Sequence, residues 1–254
     1  MIDLHCHILP GLDDGAQTEE DLLAMAHAAM EDGITTIVAT PHHMNGSYEN
    51  TKGMIEKATE TANRLLKQKG LDLSILPGQE CRLYGELIED IDKGEILSLN
   101  HSTYVFVEFP SAQLPRFSRK LLYDLQLAGK VPVIVHPERN QVFMKKPDML
   151  HDFVKNGALT QVTAASVAGK FGKKIASLSL DLVEANLTHF IASDAHNTTN
   201  RTFHMTDAYN VIEKEFGNDL VYLFKENAHL LIENQHVMIE PPERVKKKKF
   251  LGLF

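Results

Sequence analysis

Ile2-Asp3-Leu4-His5-Cys6-His7 is a short apolar run that closes on two histidines one residue apart. In a strand, alternate side chains share a face, so His5 and His7 project together while Cys6 points away. The same event recurs along the chain. Pro41-His42-His43, His136-Pro137-Glu138-Arg139 and Ser193-Asp194-Ala195-His196 each place histidines or acids where a strand should stop. Glu80, after Pro77-Gly78-Gln79, and Glu108, after Tyr104-Val105-Phe106-Val107, close two further apolar runs.

Working outward from these stops, β-branched runs alternate with longer amphipathic ones, the pattern of repeated βα units with a largely parallel sheet. Strands are expected near Ile2 to His7, Thr35 to Thr40, Leu73 to Glu80, Thr103 to Phe109, Val131 to His136, Ala158 to Thr163 and His189 to Ser193. Helices fit the intervals. Thr18-Glu19-Glu20-Asp21 opens the first with a capping hydroxyl and acids at the positive end of the dipole, and Gly33 ends it. Others are expected over Tyr48 to Lys69, Tyr84 to Lys93, Arg116 to Ala128, Met149 to Asn156, Lys173 to Ala185, Phe203 to Phe216 and Asp219 to Glu226. The fold class is therefore α/β, a single-domain barrel over residues 1–240. In such a barrel the C-terminal strand ends meet on one face, so the ligand-type residues converge although they are far apart in sequence.

A lone His-x-His pair is also common on surfaces and in cores, and a lone acid after a strand is often a solvated loop residue. The coincidence of His5, His7, His42, Glu80, Glu108, His136, Asp194 and His196 at successive strand ends favours a multinuclear metal site instead. Mixed imidazole and carboxylate donors suit zinc, manganese or iron better than calcium or magnesium.

The 254 residues, 43% of them hydrophobic, suffice for one sizeable core. A formal charge of -8 argues against a nucleic-acid binder, which needs a basic surface. Neither a signal peptide nor an apolar run of membrane-spanning length is evident, so a cytoplasmic protein is expected. The two cysteines, Cys6 and Cys81, read as reduced packed thiols. Neither opens a Cys-x5-Arg phosphate loop, since Leu12 and Leu87 occupy the arginine positions. A covalent phosphocysteine route is therefore not expected.

Taken in order and spacing, His5-Cys6-His7, Asp14, Pro41-His42, Gly78-Gln79-Glu80, Glu108, His136-Pro137-Glu138-Arg139 and Asp194-Ala195-His196 resemble the PHP (polymerase and histidinol phosphatase) superfamily. The nearer resemblance is to the bacterial capsule-type, manganese-dependent tyrosine-protein phosphatases, and it extends from Met1 to about Val237. It implies a distorted (β/α)7 barrel of the PHP type and three divalent metal ions, manganese by resemblance, with iron or zinc also compatible with the donors. By matching motif, His5, His7, Glu80 and Asp194 would hold one ion, Glu80, Glu108 and His136 a second, and Asp14, His42 and His196 a third.

Clusters of this kind lower the pKa of a coordinated water and neutralise phosphoryl oxygens during in-line attack. Arg139 and Arg201, beside the ligand motifs, suit phosphate oxygens, and the resemblance places phosphate-binding arginines there. A phenolate leaving group, of pKa about 10, needs less proton donation than an alkoxide. The resemblance supplies the substrate: phosphotyrosine on a bacterial tyrosine kinase and its targets, in synthesis of exported polysaccharide. His43, Tyr48 and Phe117 are candidate substrate contacts. Two alternatives stay open, a histidinol-phosphate or other small-molecule phosphomonoesterase, and a noncatalytic module that keeps metals for stability.

After Pro241-Pro242, a basic cluster from Arg244 to Lys249 precedes Phe250-Leu251-Gly252-Leu253-Phe254. No core-facing periodicity is evident there, so residues 241–254 are expected to form a flexible tail. Its lysines could contribute about 1 kcal/mol each at an anionic membrane surface, or meet an acidic partner groove.

Overall fold

The computed structural model describes residues 1–246. Among the described residues there are nine parallel strands: β1 Ile2–Cys6, β2 Thr36–Ala39, β3 His42–His43, β4 Ser74–Pro77, β5 Glu80–Arg82, β6 Tyr104–Glu108, β7 Val131–Val135, β8 Leu159–Thr163 and β9 Phe190–Ala192. They pair as β1-β2-β4 and as β3-β5-β6-β7-β8-β9. The strand expected over Leu73 to Glu80 is thus broken, and the one expected over Thr35 to Thr40 is followed by a short β3 that was not expected. Pro41, which has no N–H to donate, separates β2 from β3, and Gly78-Gln79 separates β4 from β5. A Cβ on Gly78 would lie 2.7 Å from Val38 Cγ1 and 2.9 Å from Leu99 Cδ2, so only glycine lets the chain cross at that point.

Each broken pair acts as one stave, which leaves seven around a distorted (β/α)7 barrel. Closure is achieved beyond β9: Asp194 N–H donates to His5 O at 2.8 Å, and His7 N–H to Ala195 O at 2.9 Å. Among the described residues ten α-helices accompany the strands: α1 Glu19–Glu31, α2 Lys52–Gln68, α3 Leu87–Asp92, α4 Ser118–Leu127, α5 Gln141–Lys145, α6 Asp148–Lys155, α7 Ala164–Val167, α8 Lys173–Glu184, α9 Met205–Phe216 and α10 Asn218–Ile232. The capping box at Thr18 and Asp21 forms as its sequence implies. α2 begins later than Tyr48 because Asn45 Oδ1 accepts from Ser47 and Tyr48 N–H and holds a turn there. α10 runs past Glu226, while α5 and α7 are too short to have a readable period.

Two cores result. Val105, Val107, Ile134, Val162 and Ile191 face the helices in an outer layer. Leu4, Val38, Phe106, Val133, Leu159 and Phe190 fill the barrel interior, where Ala228 and Leu231 of α10 also pack. β6, buried on both faces, reads Tyr-Val-Phe-Val before its terminal acid, whereas the equally buried β1 and β8 carry Asp3, Thr160 and Gln161, each hydrogen-bonded inside.

No helix among the described residues is long and apolar enough to cross a membrane. Residues 241–246 carry no regular secondary structure. They lie along the helices: Glu243 N–H donates to Ala185 O at 2.8 Å, Arg244 pairs with Asp148 at 3.0 Å, and Lys246 with Glu184 at 2.8 Å. The remaining lysines and the apolar end, residues 247–254, lie outside the described residues, and with them most of the expected tail.

Candidate metal centre

Strand alternation alone would put His5 and His7 on the face opposite Ile2 and Leu4, outside the barrel. The pairing of β1 with β2 is irregular between Asp3 and Cys6. Across that irregularity Ile2 and Leu4 face inward, Cys6 packs in the outer core, and both imidazoles turn into the barrel mouth.

There, His5 Nε2 and His7 Nε2 lie 3.2 Å apart. Glu80 Oε2 is 3.2 Å from the first and 3.4 Å from the second, and Asp194 Oδ1 is 3.4 and 3.3 Å away. The tautomers are set from behind. His5 Nδ1 bonds Gln161 Oε1 at 2.9 Å and His7 Nδ1 bonds Asp13 Oδ2 at 2.6 Å, so in the neutral rings the Nε2 lone pairs face one another. Without a metal, burial is outweighed by the carboxylates of Asp13, Asp194 and Glu80, which raise the His7 pKa. Two lone pairs and two carboxylate oxygens aimed at one point repel unless a cation stands between them. Their spacing matches the ~3.4 Å edge of a tetrahedron of donors at zinc-like bond lengths.

A second compact group contains His42, Glu80 and Glu108, and a third contains His7, Asp14, His42 and His196. His42 Nδ1 is 2.9 Å from Glu80 Oε2 and 3.8 Å from Glu108 Oε2, while its Nε2 is 3.5 Å from Asp14 Oδ1. His196 Nδ1 donates to Asp194 O at 2.9 Å, which leaves Nε2 facing Asp14 Oδ1 at 3.4 Å. His136 Nε2 sits 2.8 Å from Glu80 Oε1, the oxygen turned away from the two opening histidines. The geometry therefore places His42, rather than His136, in the compact group around Glu108, with His136 on the far oxygen of Glu80.

The donor set fits divalent cations. His42 Nδ1, Glu80 Oε2, Glu108 Oε2 and His196 Nε2 are buried without hydrogen-bond partners. Burial and the neighbouring Glu80 push the Glu108 carboxyl up to about 7, against the pull of Arg82 at 3.0 Å. Burial, with Arg139 adding to it, lowers His136 to about 4, and burial with His7 lowers His196 likewise to about 4. Both imidazoles are therefore neutral donors at physiological pH.

The cluster opens onto a cavity of about 220 Å³ lined by His42, Glu108, His136, Arg139, Asp194 and Arg201 on its polar side. Phe109, Val135, Pro137 and Phe143 make the apolar side. Arg139 and Arg201 both donate to Asp194 Oδ2, at 2.5 and 3.1 Å. Tyr48 stacks near His42, with centroids 6.3 Å apart and planes 11° from parallel. Phe117 is 43% exposed at the start of α4, outside the cavity lining. His43 is turned away as a correction to its expected substrate-facing role: next to His42 on β3, it faces the other side, buried with its ring edge-on to Tyr84.

Sequence reasoning assigned no role to Asp13, Gln161 or Arg82. Asp13 hinted at itself only by standing beside Asp14, and Gln161 carried no local signal within an otherwise ordinary strand.

The family described as capsular polysaccharide synthesis, CpsB/CapC, matches residues 1–233. The tyrosine-protein phosphatase YwqE of Bacillus subtilis (strain 168) is 50% identical over 254 residues, 100% of each chain. The putative tyrosine-protein phosphatase CapC of Staphylococcus aureus is 38% identical over 257 residues, again 100% of each. A crystal structure from work on YwqE of Bacillus subtilis and CpsB of Streptococcus pneumoniae, there described as unique metal-dependent tyrosine phosphatases, superposes with a TM-score of 0.95 at 50% identity. It covers 97% of this chain and 100% of that one. A β-aspartyl dipeptidase of Fervidobacterium islandicum AW-1, at 13% identity and a TM-score of 0.52 over 98% of this chain and 77% of its own, shares the fold. With the barrel, the histidine and carboxylate cluster and these likenesses together, the chain belongs to the CpsB/CapC capsular polysaccharide synthesis family.

Proposed function

We propose that this chain is a metal-dependent protein-tyrosine phosphatase that removes phosphate from a bacterial tyrosine kinase and its targets in exported-polysaccharide synthesis. The observation that carries the reading is the meeting of two chemistries in one cavity. One wall is the cluster of metal-type donors with Arg139 and Arg201, and the other is Phe109, Val135, Pro137 and Phe143. A phosphate suits the first and an aryl ring the second. The relatives named as tyrosine phosphatases support it further.

The residues divide by role. His5, His7, Glu80 and Asp194 would hold one ion, Glu80, Glu108 and His136 a second, and Asp14, His42 and His196 a third. Glu80 would serve the first two, and His42, with Nδ1 3.8 Å from Glu108 Oε2, stands between the second and third. When bound, the ions supply an activated water and neutralise phosphoryl charge. Manganese is the expected metal. Arg139 and Arg201 orient the phosphate, since each presents a guanidinium to the cavity while its neighbour Asp194 holds it in place. Tyr48, stacked near His42, would contact the substrate from outside the cavity lining. The protein would act in the cytoplasm.

The test is a side-by-side assay of a phosphotyrosyl peptide, histidinol phosphate and an alkyl phosphate, with manganese, iron, zinc or chelator, backed by elemental analysis. Faster turnover of the phosphotyrosyl peptide, abolished by chelator, is expected. Preference for histidinol phosphate would replace the reading by a small-molecule phosphatase, and no hydrolysis by metal-loaded protein would replace it by a binding module.

A further inference from the structure

Asp13 belongs to none of the donor groups, yet its carboxylate touches three of the segments that build them. Oδ2 bonds His7 Nδ1 at 2.6 Å and accepts from the backbone N–H of His42 at 3.0 Å. Oδ1 accepts from the N–H of Gly15 at 2.9 Å. The side chain is buried, so no water competes for these bonds. One carboxylate thereby ties the end of β1, the start of β3 and the turn that carries Asp14.

With Asp13 accepting at Nδ1, the proton of a neutral His7 is fixed there, and one lone pair remains, on Nε2. That atom lies within the group of His5, Glu80 and Asp194 and also within reach of Asp14, His42 and His196. A single lone pair serves one ion.

We propose that Asp13 is the positioning residue that commits His7 to the group of His5, Glu80 and Asp194 and places His42 and Asp14 for the neighbouring ion. The inference rests on reading these side chains as metal ligands. The neighbouring group then keeps Asp14, His42 and His196, and Asp13 holds the segments of two of the three. Its ion is therefore the one most dependent on Asp13. Asparagine keeps the shape and loses the function. Three N–H groups converge on two carboxylate oxygens, and an amide has one acceptor oxygen, so its NH2 must face either Gly15 N–H or the His7 and His42 donors.

The test is equilibrium dialysis of full-length wild type and Asp13→Asn against graded Mn2+, with elemental analysis of bound metal and thermal midpoints with and without Mn2+. At concentrations that saturate the wild type, Asp13→Asn is expected to hold one ion fewer per chain, with affinity at that site weakened about 10–100-fold. Its Mn2+-induced rise in midpoint should shrink as well. Stoichiometry and affinity equal to wild type, with only the metal-free midpoint lowered, would mean a purely structural role and overturn the proposal. Should Asp13→Asn fail to fold, Asp13→Glu, which keeps the charge but shifts it by a methylene, undergoes the same measurement, and unchanged metal binding there overturns it equally. A wild type that takes up no Mn2+ refutes the metal reading itself, a separate result.

Discussion

His5 and His7 face one another Nε2 to Nε2 at 3.2 Å, each held in that orientation by an acceptor behind its Nδ1. The side chains that meet there come from β1, from Glu80 at the start of β5 and from Asp194 beyond β9. A cation between them would therefore clamp the barrel across its closing seam as well as serve chemistry.

Metal removal should destabilise the fold. An ion at 100-fold its dissociation constant contributes about 2.7 kcal/mol, and each kcal/mol moves the midpoint of a chain this size by roughly 2–4 °C. A rise of about 5–10 °C on adding Mn2+ to chelator-treated protein is expected in differential scanning fluorimetry. Identical melting curves would remove the clamp.

Arg139→Ala and Arg201→Ala should each lower kcat/KM on a phosphotyrosyl peptide by about 100-fold or more, in line with the loss of one donor to developing charge. Arg139→Lys should recover little, since an ammonium lacks the planar fork that reaches Asp194 and phosphate together. Because both guanidiniums share Asp194 Oδ2, the double variant should lose less than the product of the two single losses. Full activity in Arg139→Ala would take that residue out of the reaction.

Gly15→Ala should disrupt the turn that carries Asp14. An added Cβ would lie 2.0 Å from His7 O and 2.8 Å from His7 C, both backbone atoms that cannot swing aside. A loss of about 3 kcal/mol or more is expected by urea denaturation, together with loss of bound metal. Gly85→Ala, which meets nothing within 4 Å, is the control and should change stability by less than about 1 kcal/mol.

Stability should fall with acid between pH 6.5 and 4, in part through His189. Its Nδ1 accepts from Thr160 N–H at 3.1 Å, and burial lowers its pKa to about 4. Above the unfolded value of about 6.5 both states are neutral and the contribution is complete. Below it the unfolded chain takes a proton that the native chain refuses, so the contribution is lost as pH drops toward 4, by up to about 3 kcal/mol. Urea midpoints of His189→Gln should show a shallower pH slope in that window. Parallel slopes would place the acid sensitivity elsewhere.

Thiol chemistry should be dispensable. Burial pushes both the Cys6 and Cys81 thiols up, away from the reactive thiolate. Cys6→Ala and Cys81→Ala should each retain phosphatase activity within about 3-fold, and iodoacetamide should leave the wild type active. Inactivation by the reagent that is prevented by Cys6→Ala would contradict this.

Most strand positions were legible because a parallel strand buried on both faces is largely apolar, as β6 and β7 are, and several ended at residues too polar to continue inside. The break in the strand expected over Leu73 to Glu80 and the short β3 were not, since only packing of Val38 and Leu99 around Gly78 shows why the stave must interrupt there. His43 misled for a related reason. Adjacent to His42 in sequence, it is on the opposite face of β3, against Tyr84.

By itself the sequence determined which side chains could carry the chemistry, and their order around a barrel, because residue type, apolar periodicity and strand-end position are all local properties. Tertiary structure alone decided where they point and what holds them. The irregular register between Asp3 and Cys6 turns His5 and His7 from the outer face into the mouth. Gln161, 156 residues from His5, and Asp13, tied to His7 and to the amide of His42, then orient the lone pairs. Hydrogen bonds between such distant partners leave no periodic trace along the chain, since their geometry exists only once the barrel has closed.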